Sequence, residues 1–261
     1  MSETALQRLP EVDPKDPFIQ KIYEMGRMFS RFFDTEIIGD ENIPREGRVM
    51  LVGNHALMGI DTWALLPELV ARTERIPRGM GLRALFDVPL LGEFLREVGM
   101  VSGDRYSAIE LLGREEMVLT YPGGARDSLK GSDQRNKLQW GERLGFAHVA
   151  VMGQSPVVPV VGVGPDDCFK VLGSDGLIPT RGLGSASLKL PLFLPILKRV
   201  AFDFHVGAPL QAPELDVEAA SDSLIEEATR DFASDVQAHT QALLDRASLW
   251  RDRLGSSRSM R

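Results

Sequence analysis

Four short apolar runs, each closed by glycine or proline and separated by stretches of helical periodicity, constrain this chain more than any other feature. They are Arg48–Gly53 (RVMLVG), Glu116–Tyr121 (EMVLTY, stopped by Pro122), Pro156–Val163 and Ala201–Gly207. Runs of this length read as strands, and Pro156–Val163, apolar on both faces, reads as one inside a sheet that is covered on both sides. Helices are expected between them at Asp61–Arg72, Tyr106–Arg114 and Gln134–Phe146, with Gly81–Val101 helical but broken by Pro89 and Gly92. Ser221–Arg253 reads as a long closing helix. Strands alternating with helices predict an α/β fold, a single domain whose mostly parallel central sheet is covered by helices.

Phe18, Ile22, Met25, Phe29, Phe32 and Phe33 recur at helical spacing, with Lys21, Arg27 and Arg31 elsewhere, and predict an N-terminal amphipathic helix. Such a helix packs on its own domain or touches lipid. No linker rich in Pro, Gly or Ser divides the chain. The expected organisation is a flexible N-terminus over 1–16, the amphipathic helix region over 17–47, one core domain over 48–250 and a frayed basic tail over 251–261.

The net charge of −7 argues against sequence-blind nucleic-acid binding, which needs a broad cationic surface. The distribution of charge says more than its sum. From Gly176 to Phe202 there is no Asp or Glu, while Arg181, Lys189, Lys198 and Arg199 are woven among leucines and Phe193. That pattern suits an anionic lipid surface, or else a buried strand with basic flanks. No apolar run reaches the ~20 residues that span a bilayer, and the N-terminus lacks the pattern of a secretory signal. One cysteine, Cys168, cannot make an internal disulfide. A cytoplasmic location with peripheral membrane association is therefore expected.

The chemistry-bearing residues gather where strands end. Asn54-His55 follows the first run and Asp61 opens the next helix. Histidine is the side chain best suited to act as a base near neutrality, and a carboxylate can fix its tautomer. Gly59 would ease the turn between them. Tyr121-Pro122-Gly123-Gly124-Ala125-Arg126-Asp127 ends the second run: two glycines allow an anion to approach the backbone, and Arg126 supplies a permanent cation. Gly99–Arg105 is a glycine-flanked strand end followed by another arginine, and Pro159 interrupts a strand, as at an edge, a bulge or a substrate wall. Asp166 and Asp167 read as loop and capping residues, and they raise the pKa of Cys168, which disfavours a nucleophilic thiol. No histidine or cysteine spacing suggests a metal.

In order, these four elements resemble the four blocks of the glycerolipid acyltransferase superfamily, whose usual forms are Asn-His-x4-Asp, a Gly-rich stretch ending in Arg, Phe-Pro-Glu-Gly-Thr-Arg and a Val-Pro segment. The likeness runs from Val49 to Val160, and is nearest to the monoacylglycerol/diacylglycerol acyltransferase-like branch, which often shows Pro-Gly-Gly-Ala-Arg, as at Pro122–Arg126. Two features depart from the wider pattern. Five residues, not four, separate His55 from Asp61, and Gly124 follows Gly123 where Glu-Gly is usual. The missing carboxylate tilts the expectation towards a neutral hydroxyl acceptor.

The resemblance implies that 48–250 is an acyltransferase domain. His55 is then the general base and Asp61 its partner, with Asn54, Arg105, Gly123, Gly124, Arg126 and Pro159 binding substrate. The co-substrate would be acyl-CoA or acyl carrier protein, with no other cofactor. The acceptor would be a lysophospholipid, a mono- or diacylglycerol, or a long-chain alcohol, met at a membrane surface. A lipid esterase or thioesterase, and a non-catalytic lipid-binding protein, are the competing readings. The usual Gly-x-Ser-x-Gly elbow is missing at Gly153–Pro156, which weighs against the esterase.

Overall fold

The computed structural model describes residues 9–131, 134–179 and 189–258. Its centre is a seven-stranded sheet made of β1 (Glu36–Ile38), β2 (Val49–Val52), β3 (Arg78–Gly81), β4 (Val101–Ser102), β5 (Met117–Thr120), β6 (Val157–Val163) and β9 (Asp203–Val206), in the order β1-β9-β6-β2-β5-β3-β4. Every pairing is parallel except β6 with β9. The expected α/β, mostly parallel sheet is therefore present. β7 (Phe169–Pro179) and β8 (Lys189–Leu197) form a separate antiparallel pair.

Side chains alternate across the sheet with period two. Val49, Leu51, Met117, Leu119, Val158 and Val160 enter a cluster with α1 (Pro17–Phe32) and α2 (Ile60–Thr73). Met50, Val52, Val118 and Val157 enter the opposite cluster, beside α5 (Arg105–Gly113), α7 (Gly145–Met152) and α8 (Asp222–Arg258). The short helices α3 (Arg83–Phe86), α4 (Leu91–Glu97) and α6 (Ala125–Ser128) lie in the connections. Among the described residues, no helix is long and apolar enough to cross a membrane.

Several expectations need correction. The helix expected over Gln134–Phe146 is absent. Asn136 and Gly141 take left-handed conformations that an α-helix cannot hold, and the helix starts only at Gly145. The broken segment 81–101 resolves into the end of β3, α3, α4 and β4. In α1 the buried face is Ile19, Tyr23 and Ser30, against α2, whereas Phe18, Met25 and Phe32 of the apolar stripe are about half or more exposed. Packing is close because Gly26 lies on Pro67 of α2, where a Cβ would come within 2.5 Å of the proline ring.

Part of the N-terminus expected to be flexible is fixed: Leu9 is buried and the Pro10 carbonyl accepts from Arg78 at 2.7 Å. At the other end the helix runs on to Arg258. Arg251, expected in a frayed tail, donates to the carbonyls of Val163 and Ala201 and pairs with buried Asp203 at 2.9 Å. Of the acid-free stretch 176–202, residues 180–188 lie outside the described residues.

Candidate active site

Strands β2, β5 and β6 deliver their carboxyl ends to one place, where ligands bind in open α/β sheets. β2 leaves the sheet through Gly53, whose α-carbon passes so close to β6 that a Cβ would overlap the Val160 carbonyl. Asn54 follows and is spent on the same strand: its amide donates to the Gly162 carbonyl at 2.9 Å and accepts from the Gly162 N–H at 2.8 Å. Asn54, expected to bind substrate, therefore acts as a clamp that fixes where the next residue sits.

That residue is His55. Its Nδ1 lies 2.9 Å from Asp61 Oδ2, and Asp61 Oδ1 accepts from the Ala56 N–H at 3.2 Å. The extra residue in the His-to-Asp spacing is absorbed by a turn at Leu57–Gly59, in which Met58 and Gly59 are both left-handed (φ 59° and 67°). Asp61 then falls in the first turn of α2, where the helix N-terminus favours its charge. With Nδ1 as donor to Asp61, Nε2 is the acceptor. It faces Gly59, where a Cβ would stand 3.8 Å from it, and the side chain keeps 19% of its surface open.

Tyr121, at the end of β5, stacks on the imidazole with ring centroids 4.1 Å apart and 12° between planes. Its hydroxyl accepts from Thr62 Oγ1 at 3.0 Å. Burial, and then the charge of Asp61, push the phenol well above its usual range, so it stays neutral. For His55, burial pulls the pKa down most strongly. The charge and hydrogen bond of Asp61, helped by Asp127, outweigh burial and the opposing charge of Lys130, so the net direction is up.

The remaining expected residues separate. Gly124 cannot offer its N–H to an anion, because it donates to the Tyr121 carbonyl at 2.8 Å. The space beside Gly123 is filled by the Asp127 side chain, and its carbonyl accepts from Arg143 at 2.9 Å. Arg105 lines a cavity of about 420 Å³ together with Asp104, Glu142, Arg143, Tyr121 and the buried Met50 and Val118. Arg126 is exposed beside it, and its charge, after burial, is what lowers the pKa of Arg143. Pro159 is neither an edge residue nor a wall of this site. It lies inside the sheet, where the β6–β9 register slips by one residue between Val160↔Val206 and Val157↔Leu210. Its ring packs on Gly207 and its carbonyl accepts from the Gly207 N–H, so the bulge accommodates its missing donor.

Sequence reasoning missed Arg143, which it assigned to a helix interior. It also missed Lys130, named Asp127 only as the end of the second motif, and read Asp166 as a loop or capping residue; the three form a buried ion cluster under His55. A second cavity, of about 480 Å³, opens on the other side of Tyr121 and Thr62. It is almost wholly apolar and lies between α1, α2 and α4, lined by Met25, Phe29, Trp63, Leu66 and Phe94 among others. Cys168 is buried, and burial followed by the neighbouring Asp166 pushes its thiol to about 12, which removes it from nucleophilic chemistry at neutral pH.

A histidine oriented by a carboxylate at the carboxyl edge of a mostly parallel sheet makes this an α/β protein with a candidate catalytic centre. His55 itself lines neither cavity: Tyr121, stacked on it, lines the first, and Thr62, bonded to Tyr121, lines the second. A profile of the family described as Acyltransferase matches residues 34–163, and the chain belongs to that family, within the glycerolipid acyltransferase superfamily. It is 30% identical over 213 residues to an uncharacterised protein of Mycobacterium tuberculosis, covering 76% of this chain and 58% of that one. It is 28% identical over 142 residues to the human "DGAT1/2-independent enzyme synthesizing storage lipids" (54% and 44% covered). It is 30% identical over 151 residues to "Phytyl ester synthase 1, chloroplastic" of Arabidopsis thaliana (55% and 21% covered). The matches thus span less than two thirds of each of these relatives. A crystal structure of a 1-acyl-sn-glycerophosphate acyltransferase from Thermotoga maritima aligns with a TM-score of 0.48 at 19% identity, covering 84% of this chain and 80% of that one.

Proposed function

We propose that the protein transfers a fatty acyl group from an acyl thioester, acyl-CoA or acyl carrier protein, to a lipid hydroxyl. The observation that carries this reading is the His55–Asp61 hydrogen bond of 2.9 Å, which leaves Nε2 as the acceptor. His55 Nε2 takes the proton of the acceptor hydroxyl as its oxygen bonds to the thioester carbonyl carbon. Asp61 offsets the charge on the imidazolium. As the C–S bond breaks, the sulfur leaves and takes that proton. A base held this way supplies about 10²–10⁴-fold. A thioester is already activated, so no acyl-enzyme is needed.

The two cavities suit an amphiphilic donor or acceptor. The apolar one, between α1 and α2, fits an acyl chain. Arg105 and Arg143, which line the other beside Asp104 and Glu142, are the groups it offers to a phosphate. A neutral acceptor, such as diacylglycerol or a long-chain alcohol, accords with the names of the human and plant relatives and with Gly124 standing where the wider superfamily carries a carboxylate.

We further propose that the protein works at a membrane surface through α1. Phe18, Met25, Met28 and Phe32 are exposed there, and Arg199 joins this face by donating to the Phe32 carbonyl at 3.0 Å, its guanidinium 5.8 Å from the Phe32 ring. Lys198 and Leu197 are exposed beside it. An apolar face rimmed by cations is what an anionic bilayer binds. The test is incubation with radiolabelled palmitoyl-CoA and a panel of lipid alcohols and lysolipids. Labelled ester formed with stoichiometric CoA release supports transfer. CoA release without acceptor points to a thioesterase, and no turnover with vesicle binding retained points to a lipid-binding protein.

A further inference from the structure

Beneath His55 lies an ion cluster that the acyl-transfer chemistry does not itself use. Lys130 Nζ sits 3.2 Å from Asp127 Oδ1 and 3.0 Å from Asp166 Oδ2, with the lysine and Asp127 side chains 5% and 0% exposed. Burying one cation with two carboxylates is a poor way to gain stability, because desolvation consumes most of the attraction. The contacts made by the cluster suggest another purpose. The His55 N–H donates to Asp127 Oδ2 at 3.0 Å, and the His55 carbonyl accepts from Lys130 Nζ at 2.9 Å. The next N–H, that of Ala56, is held by Asp61. Three successive backbone groups around the imidazole are thus fixed by charged side chains from two other elements.

The three carboxylates and the lysine also join three strand-end loops. His55 follows β2, Asp127 and Lys130 follow β5, and Asp166 follows β6. A backbone with left-handed residues at Met58 and Gly59 has little of its own to hold the ring against Asp61. We propose that Lys130, bridging Asp127 and Asp166, is a positioning residue that clamps the His55 peptide and so sets the reach of its ring to Asp61 and to substrate. This rests on His55 being the base of acyl transfer, but the clamp itself has a readout that does not depend on activity.

The charged and titratable groups facing His55 are Asp61 from α2, Tyr121 after β5, and Asp127 and Lys130 from α6 and the residues after it, with Asp166 behind Lys130. Removing the lysine charge therefore raises the His55 pKa.

The experiment is an NMR titration of the His55 Cε1–H signal, assigned with His55→Gln, in the parent, Lys130→Gln, Lys130→Arg and Asp166→Asn proteins. It is paired with kcat and KM for palmitoyl-CoA against pH. Lys130→Gln is neutral and shorter, so it loses the bridge between Asp127, Asp166 and the His55 carbonyl. We expect it to move the titration and the acid limb of kcat up together, and to cut kcat about tenfold with KM within about twofold. Lys130→Arg should leave the titration in place and restore most of kcat. Asp166→Asn should lower kcat in the same way, because Lys130 loses one of its two anchors. Parental kcat in folded Lys130→Gln overturns the clamp while leaving the base reading intact. Shifted titrations alongside full transfer by His55→Gln uphold the clamp and overturn the base.

Discussion

Replacing Asp61 by asparagine separates its charge from its shape. Asp61 holds two donors at once, His55 Nδ1 through Oδ2 and the Ala56 N–H through Oδ1. An amide has one oxygen, and the backbone N–H can only donate, so the amide oxygen turns to Ala56 and the NH2 group faces Nδ1. That inverts the imidazole: Nδ1 becomes the acceptor, and Nε2 carries the proton it should be taking. In the hydroxyl-activating triads of other enzymes the same change costs about 10⁴ in kcat. Here the loss should equal the base contribution, about 10²–10⁴-fold, or roughly 3–5 kcal/mol of transition-state stabilisation.

The pH profile moves as well. Two of the effects that raise the His55 pKa, the charge of Asp61 and its hydrogen bond, disappear, leaving burial and Lys130 to lower it against Asp127 alone. The acid limb of the residual activity therefore moves to lower pH, whereas in the parent it lies above the 6.5 of an ordinary histidine. The assay is initial-rate transfer of labelled palmitoyl from palmitoyl-CoA to a lipid alcohol, from pH 5 to 9, with the fold checked by circular dichroism. A folded Asp61→Asn protein with kcat within about threefold of the parent and an unmoved acid limb would refute the reasoning.

Other outcomes follow from single contacts. Gly59→Ala places a methyl 3.5 Å from His55 Cε1 at φ +67°, so it should cost about 1–2 kcal/mol in thermal unfolding and lower kcat. Met25→Glu puts a charge at the apolar cavity. It should raise KM for palmitoyl-CoA about tenfold while leaving short-chain thioesters unchanged, since each buried CH2 is worth about 0.8 kcal/mol. Arg251→Met removes an ion-pair partner of buried Asp203 and two carbonyl contacts. It should lower stability by about 3 kcal/mol in urea melts without altering the acid limb.

Legibility in the sequence followed the range of the interactions. The four runs became β2, β5, β6 and β9: β2 and β6 are continuous apolar segments, as strands buried on both faces are, and in β9 Phe204 and Val206 alternate with Asp203 and His205. β1 and β3, of three and four residues and including Arg78 and two glycines, carry too little pattern to be seen, and they exist because neighbouring strands offer a parallel edge, whereas β4 was legible as the glycine-flanked strand end at Gly99–Arg105. The expected helix over Gln134–Phe146 shows the converse failure, in which acceptable propensity lost to a path fixed by Asn136 and Gly141. Within the site, His55 and Asp61 were legible because they are six residues apart. The ion cluster was not, since Lys130 and Asp166 lie 36 positions apart and meet only when β5 and β6 flank β2. Asn54 and Pro159 sat in the right segments, but the sheet uses Asn54 to hydrogen-bond Gly162 and seats Pro159 at a bulge.

The most direct measurement is the single-turnover rate of acyl transfer from palmitoyl-CoA to a lipid alcohol by folded His55→Ala at saturating donor. Loss of at least about 100-fold relative to the parent, with thioester binding retained, is the result expected of a general base. Transfer at the parental rate would contradict it.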